Sequence, residues 1–277
     1  VEASANLNCD DFTDIELGPN CFATILPEDV LIGAYGCTDN YSVQIDKTPP
    51  FGNGPWVPAS VGEPDINKTY AYRVVNTSNG NSCLGEIKIL DPAPNLVCED
   101  VVVHCAVDNL APAFLVDSLG ISTGIPAVVD NCPEFSLMHV DFVSNLPCNP
   151  FTGISGTVNR IWTATDDNGS TGTCQQTIFR QRSFDGIEFP PNDTVSCADT
   201  DNIGLSGAPV VKVGNRAFPL WPASYCELEL NYNDAFATTG CGGQIVRTWE
   251  IFDVCLPPSA TNPFTGTQIQ HWNAIPV

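Results

Sequence analysis

Two nine-residue stretches, VNRIWTATD at residues 158–166 and IVRTWEIFD at residues 245–253, decide the fold. Each combines β-branched and aromatic residues and ends in an aspartate, which is typical of a strand that runs into a turn. Because Arg-x-Trp stands at the same place in both, the pattern predicts repeated modules built from strands.

Other segments repeat at a similar distance. NLNCDD, which contains Cys9, lines up with NLVCED, which contains Cys98, 89 residues later. DVVVHC, ending at Cys105, lines up with DTVSC, ending at Cys197, 92 residues later. Modules of about 90 residues have the size of an immunoglobulin-like β-sandwich.

We therefore predict three tandem immunoglobulin-like β-sandwich domains, at residues 1–93, 94–183 and 184–277. Short proline-bearing linkers, at 91–94 and 183–191, predict a rod-like arrangement of these repeats. Composition agrees with an all-β fold: 22 glycines and 23 prolines separate short runs of strand-forming residues. Helical spacing of apolar residues is limited to about one turn at 27–32.

The charge balance excludes several partners. The chain has 32 acidic and 10 basic residues, for a formal net charge of -22. Nucleic acid and anionic membranes are disfavoured, since both need a Lys/Arg-rich surface. The apolar runs are also far shorter than the roughly 20 residues of a spanning helix. The first residue, Val1, predicts either a processed protein or a piece of a longer one.

Thirteen cysteines accompany only three histidines, and no CxxC pair is present. This favours disulfides over zinc sites and places the protein outside the cytosol. The repeat alignment predicts six bridges: Cys9 with Cys83, Cys98 with Cys174, Cys21 with Cys37, Cys105 with Cys132, Cys197 with Cys226, and Cys241 with Cys255. Cys148 is left over, unpaired or joined to another molecule.

The segments CEDVVVHC at 98–105, DNC at 130–132 and RIWTATDDNG at 160–169 resemble hyalin-repeat (HYR) modules. The tandem arrangement resembles long surface proteins secreted by Bacteroidota. This resemblance implies an extracellular, repetitive protein that is adhesin-like or fibre-forming. The third repeat departs from the pattern after Cys255, which puts its closing strand in question.

No enzyme is expected. The three histidines have no nucleophile elbow near them and are interpreted as ordinary sheet residues. Trp162 and Trp249 are expected in the core, with Arg160 and Arg247 pointing outward. Three other tryptophans are candidates for exposed contacts: Trp56, Trp221 and Trp272.

No cofactor is expected apart from calcium. Asp166, Asp167 and Asn168 offer clustered oxygen ligands in one turn. The alternative is that these residues serve turn formation, since Asp and Asn tolerate tight loops. In a bacterial host, Ser118 and Thr194 fit O-glycosylation triplets.

These observations predict an extracellular structural or adhesive protein and, more specifically, a filament subunit assembled head-to-tail through terminal strands. The partners are copies of itself, or flanking repeats of a longer chain in which 271–277 is a linker. The alternative is a carbohydrate-binding or adhesion module with glycan partners.

Overall fold

The computed structural model describes residues 7–33, 40–196, 207–220, 227–239, 242–259 and 261–273. Within these ranges the predicted all-β fold is confirmed. The helical segments are short: the α-helix α1 (Pro27–Val30), a π-helix at Phe114–Ser118, and 3₁₀ helices at Glu63–Asp65 and Ser122–Gly124. No helix in the described ranges is long and apolar enough to cross a membrane. The strands are β1 (Phe12–Glu16), β2 (Phe22–Thr24), β3 (Tyr41–Asp46), β4 (Trp56–Pro58), β5 (Ser60–Gly62), β6 (Thr69–Asn76), β7 (Ser82–Leu90), β8 (Asn95–Val97), β9 (Val101–His104), β10 (Ala127–Val129), β11 (Phe135–Asn145), β12 (Ile154–Asp166), β13 (Thr171–Gln181), β14 (Ile187–Glu188), β15 (Asp193–Ser196), β16 (Val210–Val213), β17 (Arg216–Pro219), β18 (Leu228–Thr239), β19 (Gly242–Asp253) and β20 (Phe264–Asn273).

The first large sheet has the order β1-β7-β6-β3-β4, and a two-stranded sheet, β2-β5, accompanies it. β1 lies parallel to β7, whereas β7, β6, β3 and β4 pair antiparallel. Alternate residues of β6 are buried, as period-two patterning requires. Tyr72 is one of them, and its hydroxyl donates to the Asp10 carbonyl at 2.6 Å. Gly85, opposite Tyr72, leaves room for the ring, because a Cβ there would lie 2.6 Å from it.

The remaining strands form two four-stranded and two smaller sheets. Their orders are β11-β12-β13-β9, β15-β20-β19-β18, β14-β16-β17 and β10-β8. β12 and β19, which contain the two repeated stretches, are both inner strands of their sheets. β11 and β18 are the outermost strands on one side of each.

The chain divides into two compact units. The first comprises Val1–Val97, Ala127–Met138 and Trp162–Cys174, and the second comprises Cys98–Pro126, His139–Ile161 and Gln175–Val277. The first has one hydrophobic core, and the second has two separate core clusters. The division into three repeats stays a prediction.

The third repeat has a closing strand. β20 pairs antiparallel with β19 and parallel with β15. Gln268 and Gln270 of this strand are fully buried, and the Gln268 amide donates to the Pro191 carbonyl at 2.8 Å. The terminal segment 271–277 was expected either to pair with another molecule or to act as a linker. Its residues 271–273 are instead part of this sheet, and 274–277 lie outside the described residues.

The predicted disulfides all lie within single repeats, but two of the observed disulfides join cysteines of different predicted repeats. Cys9 is bonded to Cys83, as the alignment predicts. Cys21, however, is bonded to Cys132, which overturns the predicted Cys21–Cys37 and Cys105–Cys132 pairs. The reason is a local backbone contact: the Cys21 N–H donates to the Asn131 carbonyl at 2.9 Å, and the two Cα atoms of the bridge are 4.5 Å apart.

Cys148 is bonded to Cys255 rather than being unpaired, so the predicted Cys241–Cys255 pair is also wrong. Arg182 explains the proximity: its guanidinium donates to the Asn149 carbonyl at 2.8 Å and lies 3.3 Å from the Asp253 carboxylate. Asn149 is adjacent to Cys148 in sequence, and Asp253 is two residues from Cys255. Cys98, Cys105 and Cys174 are also disulfide-bonded. The predicted Cys197–Cys226 pair, Cys37 and Cys241 lie outside the described residues.

Candidate functional site

Three aspartates meet where three strands of the first unit end. Asp91 follows β7, Asp130 follows β10, and Asp166 is the last residue of β12. Asp91 and Asp166 are 5% and 4% exposed. Four of their buried carboxylate oxygens have no hydrogen-bond partner within the described part of the chain: Asp91 Oδ1, Asp130 Oδ1, Asp130 Oδ2 and Asp166 Oδ2. We call these residues the carboxylate cluster.

The carboxylates of the cluster are buried and repel one another, and both effects raise the pKa of two of them. Burial and the charges of Asp130, Asp166 and Asp167 raise the pKa of Asp91 to about 6. Burial and the charge of Asp166 also raise the pKa of Asp130. The backbone N–H groups that follow Asp130 oppose this rise, although neither makes a hydrogen bond of full geometry to the carboxylate. The cluster therefore concentrates buried carboxylates that lack the compensating partners such groups normally have.

The turn after β12 holds one side of this cluster. Asp166 Oδ1 accepts hydrogen bonds from the Asn168 N–H at 3.1 Å and the Ser170 N–H at 2.8 Å. The Asn168 amide donates to the Asp91 carbonyl at 3.2 Å, and its oxygen accepts from Ser170. These bonds hold the Asp166 carboxylate through Oδ1 and leave Oδ2 without a hydrogen-bond donor among the described residues.

Of the three calcium candidates taken from the sequence, only Asp166 belongs to the cluster. Asn168 is committed to turn hydrogen bonds, and Asp167 is exposed and faces an open cleft of about 400 Å³ that Glu63 and Asn67 also line. Sequence reasoning missed Asp91 and Asp130, which are far from Asp166 along the chain. Among the described residues no three His, Cys, Asp or Glu side chains already stand at metal-coordinating distances.

A second candidate site is an exposed apolar surface in the second unit, which we call the edge patch. It lies on β11 and the loop after it and consists of Val140, Phe142, Val143, Leu146 and Phe151, all exposed. Strands buried on one face alternate between apolar and polar residues, but residues 135–146 read FSLMHVDFVSNL with apolar residues in both phases. That departure was a signal that sequence analysis could have used. β18, at the matching position in its own sheet, exposes Tyr232 and Phe236.

The tryptophans of the repeated stretches are in the core, as predicted, but the outward position expected for the arginines is wrong. Residues two apart on a strand share a face, so Arg160 is buried beside Trp162 and Arg247 beside Trp249. The Arg160 guanidinium binds both carboxylate oxygens of Asp141, at 2.7 and 2.8 Å. These arginines are structural.

Arg247 repeats this arrangement with Asp234, at 2.8 Å to each carboxylate oxygen. Its guanidinium also lies over the Tyr232 ring, 4.5 Å from the centroid. Of the tryptophans expected to be exposed, Trp56 is half-buried under Arg73, Trp272 is half-buried near Phe236, and Trp221 is outside the described residues.

His104 has both ring nitrogens engaged by the backbone. Nε2 lies 2.9 Å from the Ser183 carbonyl, and Nδ1 accepts from the Ala106 N–H at 3.0 Å. This is the structural role expected from the sequence. The glycosylation candidates differ in access: Thr194 is exposed on β15, whereas Ser118 is half-buried.

Comparison with solved structures finds ectodomain fragments of cadherins. Drosophila N-cadherin EC1-4 has 13% identity and a TM-score of 0.25, over 96% of this chain and 73% of that one. Mouse Cadherin-23 EC22-24 has 12% identity and a TM-score of 0.23, over 100% of this chain and 98% of that one. Similarity this low transfers no activity, ligand or partner. No protein-family model and no curated protein sequence matches the chain, so the resemblance to hyalin-repeat modules stays a prediction.

Proposed function

We propose that this chain is an extracellular structural protein of the adhesive, repeat-containing class that bears tension and assembles with copies of itself into a filament. The observation that carries the proposal is the placement of two disulfides. Cys21–Cys132 joins residues of the first and second predicted repeats, and Cys148–Cys255 joins residues of the second and third. Oxidised cysteines of this kind persist outside the cytosol.

Bridges in these positions suit a load-bearing role. A force applied to the two ends of the chain passes through the shortest covalent path, which uses both bridges and bypasses most of the polypeptide. The loops that the bridges close, 111 and 107 residues long, would be shielded from tension. Buried ion pairs supplement the second bridge, since Arg182 contacts both Glu227 and Asp253 at 3.3 Å.

The edge patch supports self-assembly. An unpaired edge strand offers its backbone N–H and C=O groups to a strand of another molecule, and exposed apolar side chains add affinity. The occupant we propose is the outer strand β18 of a second copy, which exposes Tyr232 and Phe236. Contact between two different surfaces can repeat along a filament, whereas pairing of the edge patch with its own equivalent would close a dimer. The edge patch takes the place of the terminal strand in this role, because β20 is already paired on both sides.

Negative-stain electron microscopy of the purified chain over a range of concentrations tests this function. We expect fibres whose amount rises with concentration and which disappear in Phe142→Lys. The matched control is Leu84→Lys, an exposed apolar residue on the inner strand β7, which should leave fibres intact. Absence of fibres from the unaltered chain would refute filament formation, and glycan-array binding lost on Trp56→Ala would instead favour the carbohydrate-binding alternative.

A further inference from the structure

The carboxylate cluster stands out because other buried carboxylates have partners. Asp46 accepts hydrogen bonds from the N–H groups of Thr48, Gly52 and Gly54, at 2.8 to 2.9 Å. Asp65 accepts from the Lys47 ammonium at 2.7 Å, which also supplies a positive charge. Buried charges are normally compensated in this way. In the cluster, four carboxylate oxygens are buried and have no hydrogen-bond donor within the described part of the chain.

The second unit contains a matching site in which the compensation is present. Aligning Cys83 with Cys174 places Asp91 opposite Arg182, and aligning Arg160 with Arg247 places Asp166 opposite Asp253. In the second unit the Arg182 guanidinium lies 3.3 Å from the Asp253 carboxylate.

Glu227 completes this second site, and its carboxylate is also 3.3 Å from Arg182. Two carboxylates therefore share one buried guanidinium there. In the first unit an aspartate, Asp91, occupies the arginine's place. No Lys or Arg of the described residues forms an ion pair with Asp91, Asp130 or Asp166.

We propose that a calcium ion binds within the carboxylate cluster, between Asp91, Asp130 and Asp166, and supplies the positive charge that Arg182 supplies in the second unit. Calcium takes six to eight oxygen ligands at 2.3–2.6 Å, from carboxylates, carbonyls and water. The four unpartnered carboxylate oxygens fit this preference. Direct coordination requires the carboxylates to move toward the ion, and water completes the shell.

Asn168 acts in this site as a positioning residue. Its backbone N–H holds Asp166 Oδ1, and its side-chain amide holds the backbone of Asp91. The exposed Asp167 lies beside the cluster and adds negative charge at the open cleft. The inference does not depend on the proposed structural function.

Isothermal titration calorimetry and thermal unfolding of the whole chain at pH 7.5, in calcium and in EDTA, test the site. We expect one calcium per chain, with a Kd of about 10⁻⁴ to 10⁻³ M, as in extracellular modules, and a Tm that is higher in calcium than in EDTA. Magnesium at the same concentration should bind at least about tenfold more weakly, because its smaller shell tolerates few protein oxygens.

The decisive variant is Asp91→Arg, which copies the second unit. It should lose calcium binding and yet have a Tm in EDTA at least as high as that of the unaltered chain. Asp91→Asn should weaken calcium binding at least about tenfold, and the matched control Asp167→Asn should leave a saturable calcium response. No calcium binding and equal Tm values in calcium and EDTA would overturn the proposal. Calcium binding that persists in Asp91→Arg would also overturn it, as would a Tm that changes with pH but not with calcium.

Discussion

Reduction of the disulfides should change the length to which the chain can be stretched. In the oxidised chain the shortest covalent path from end to end uses both of the bridges that join successive predicted repeats. That path runs through about 60 residues, passing Val1, Cys21, Cys132, Cys148, Cys255 and Val277. At about 3.5 Å per extended residue it is about 210 Å long, whereas all 277 residues of the reduced chain span about 970 Å.

Single-molecule force spectroscopy, with handles at the two ends, measures both lengths directly. The Cys148→Ser/Cys255→Ser variant should extend beyond the oxidised chain but less than the reduced one. Its matched control is Cys9→Ser/Cys83→Ser, because that bridge is not on the shortest path and its loss should leave the final length unchanged. An oxidised chain that stretches well past about 210 Å would show that the two bridges do not carry the load.

Two further predictions concern buried ionisable groups in the second unit. Arg247→Ala should lower the free energy of unfolding, measured by urea titration, by about 3 to 5 kcal/mol. The reason is that the Asp234 carboxylate loses both of its short hydrogen bonds from the guanidinium. A loss below about 1 kcal/mol would contradict this, because water would then have replaced the arginine. Burial lowers the pKa of His104, against the opposing effects of the Ser183 carbonyl and Asp185. Since the unfolded chain then takes up a proton that the folded chain does not, stability should fall as pH drops below about 6.5. Thermal melts from pH 7.5 to 5 should show a smaller fall for His104→Gln, and an equal fall would refute this assignment.

The all-β fold could be predicted because its signals are local. Strand-forming residues in β12 and β19 recur with the same Arg-x-Trp motif, and such patterning needs no knowledge of distant contacts. The burial of both tryptophans follows from the same pattern. The arginines were placed on the wrong face although the rule was available: residues two apart on a strand point the same way, and a buried Arg160 needs only a carboxylate such as Asp141 to be tolerated.

The disulfides and the carboxylate cluster could not be obtained in this way. The alignment pairs cysteines by equivalence between repeats, which assumes that each bridge closes within one repeat. Cys21 and Cys132 are 111 residues apart in sequence. They are held together by Asn131, whose carbonyl accepts from the Cys21 N–H and whose side-chain amide donates to the Leu17 carbonyl, and no cysteine spacing encodes these contacts. The cluster likewise combines residues from three strand ends, of which only Asp166 is part of a recognisable turn motif.

The proposed calcium site and the Cys21–Cys132 bridge lie in the same part of the chain but affect different properties, namely thermal stability and stretched length. Asp130 is two residues from Cys132, so the loop that carries one calcium ligand is also covalently attached to Cys21. Loss of calcium would restore the repulsion between Asp91, Asp130 and Asp166 and lower the Tm, but it would break no bond on the shortest covalent path. The stretched length of the oxidised chain should therefore be the same in calcium and in EDTA, while the force at which the first unit unfolds should be lower in EDTA. Reduction should have the complementary effect, since it lengthens the path even when calcium is bound.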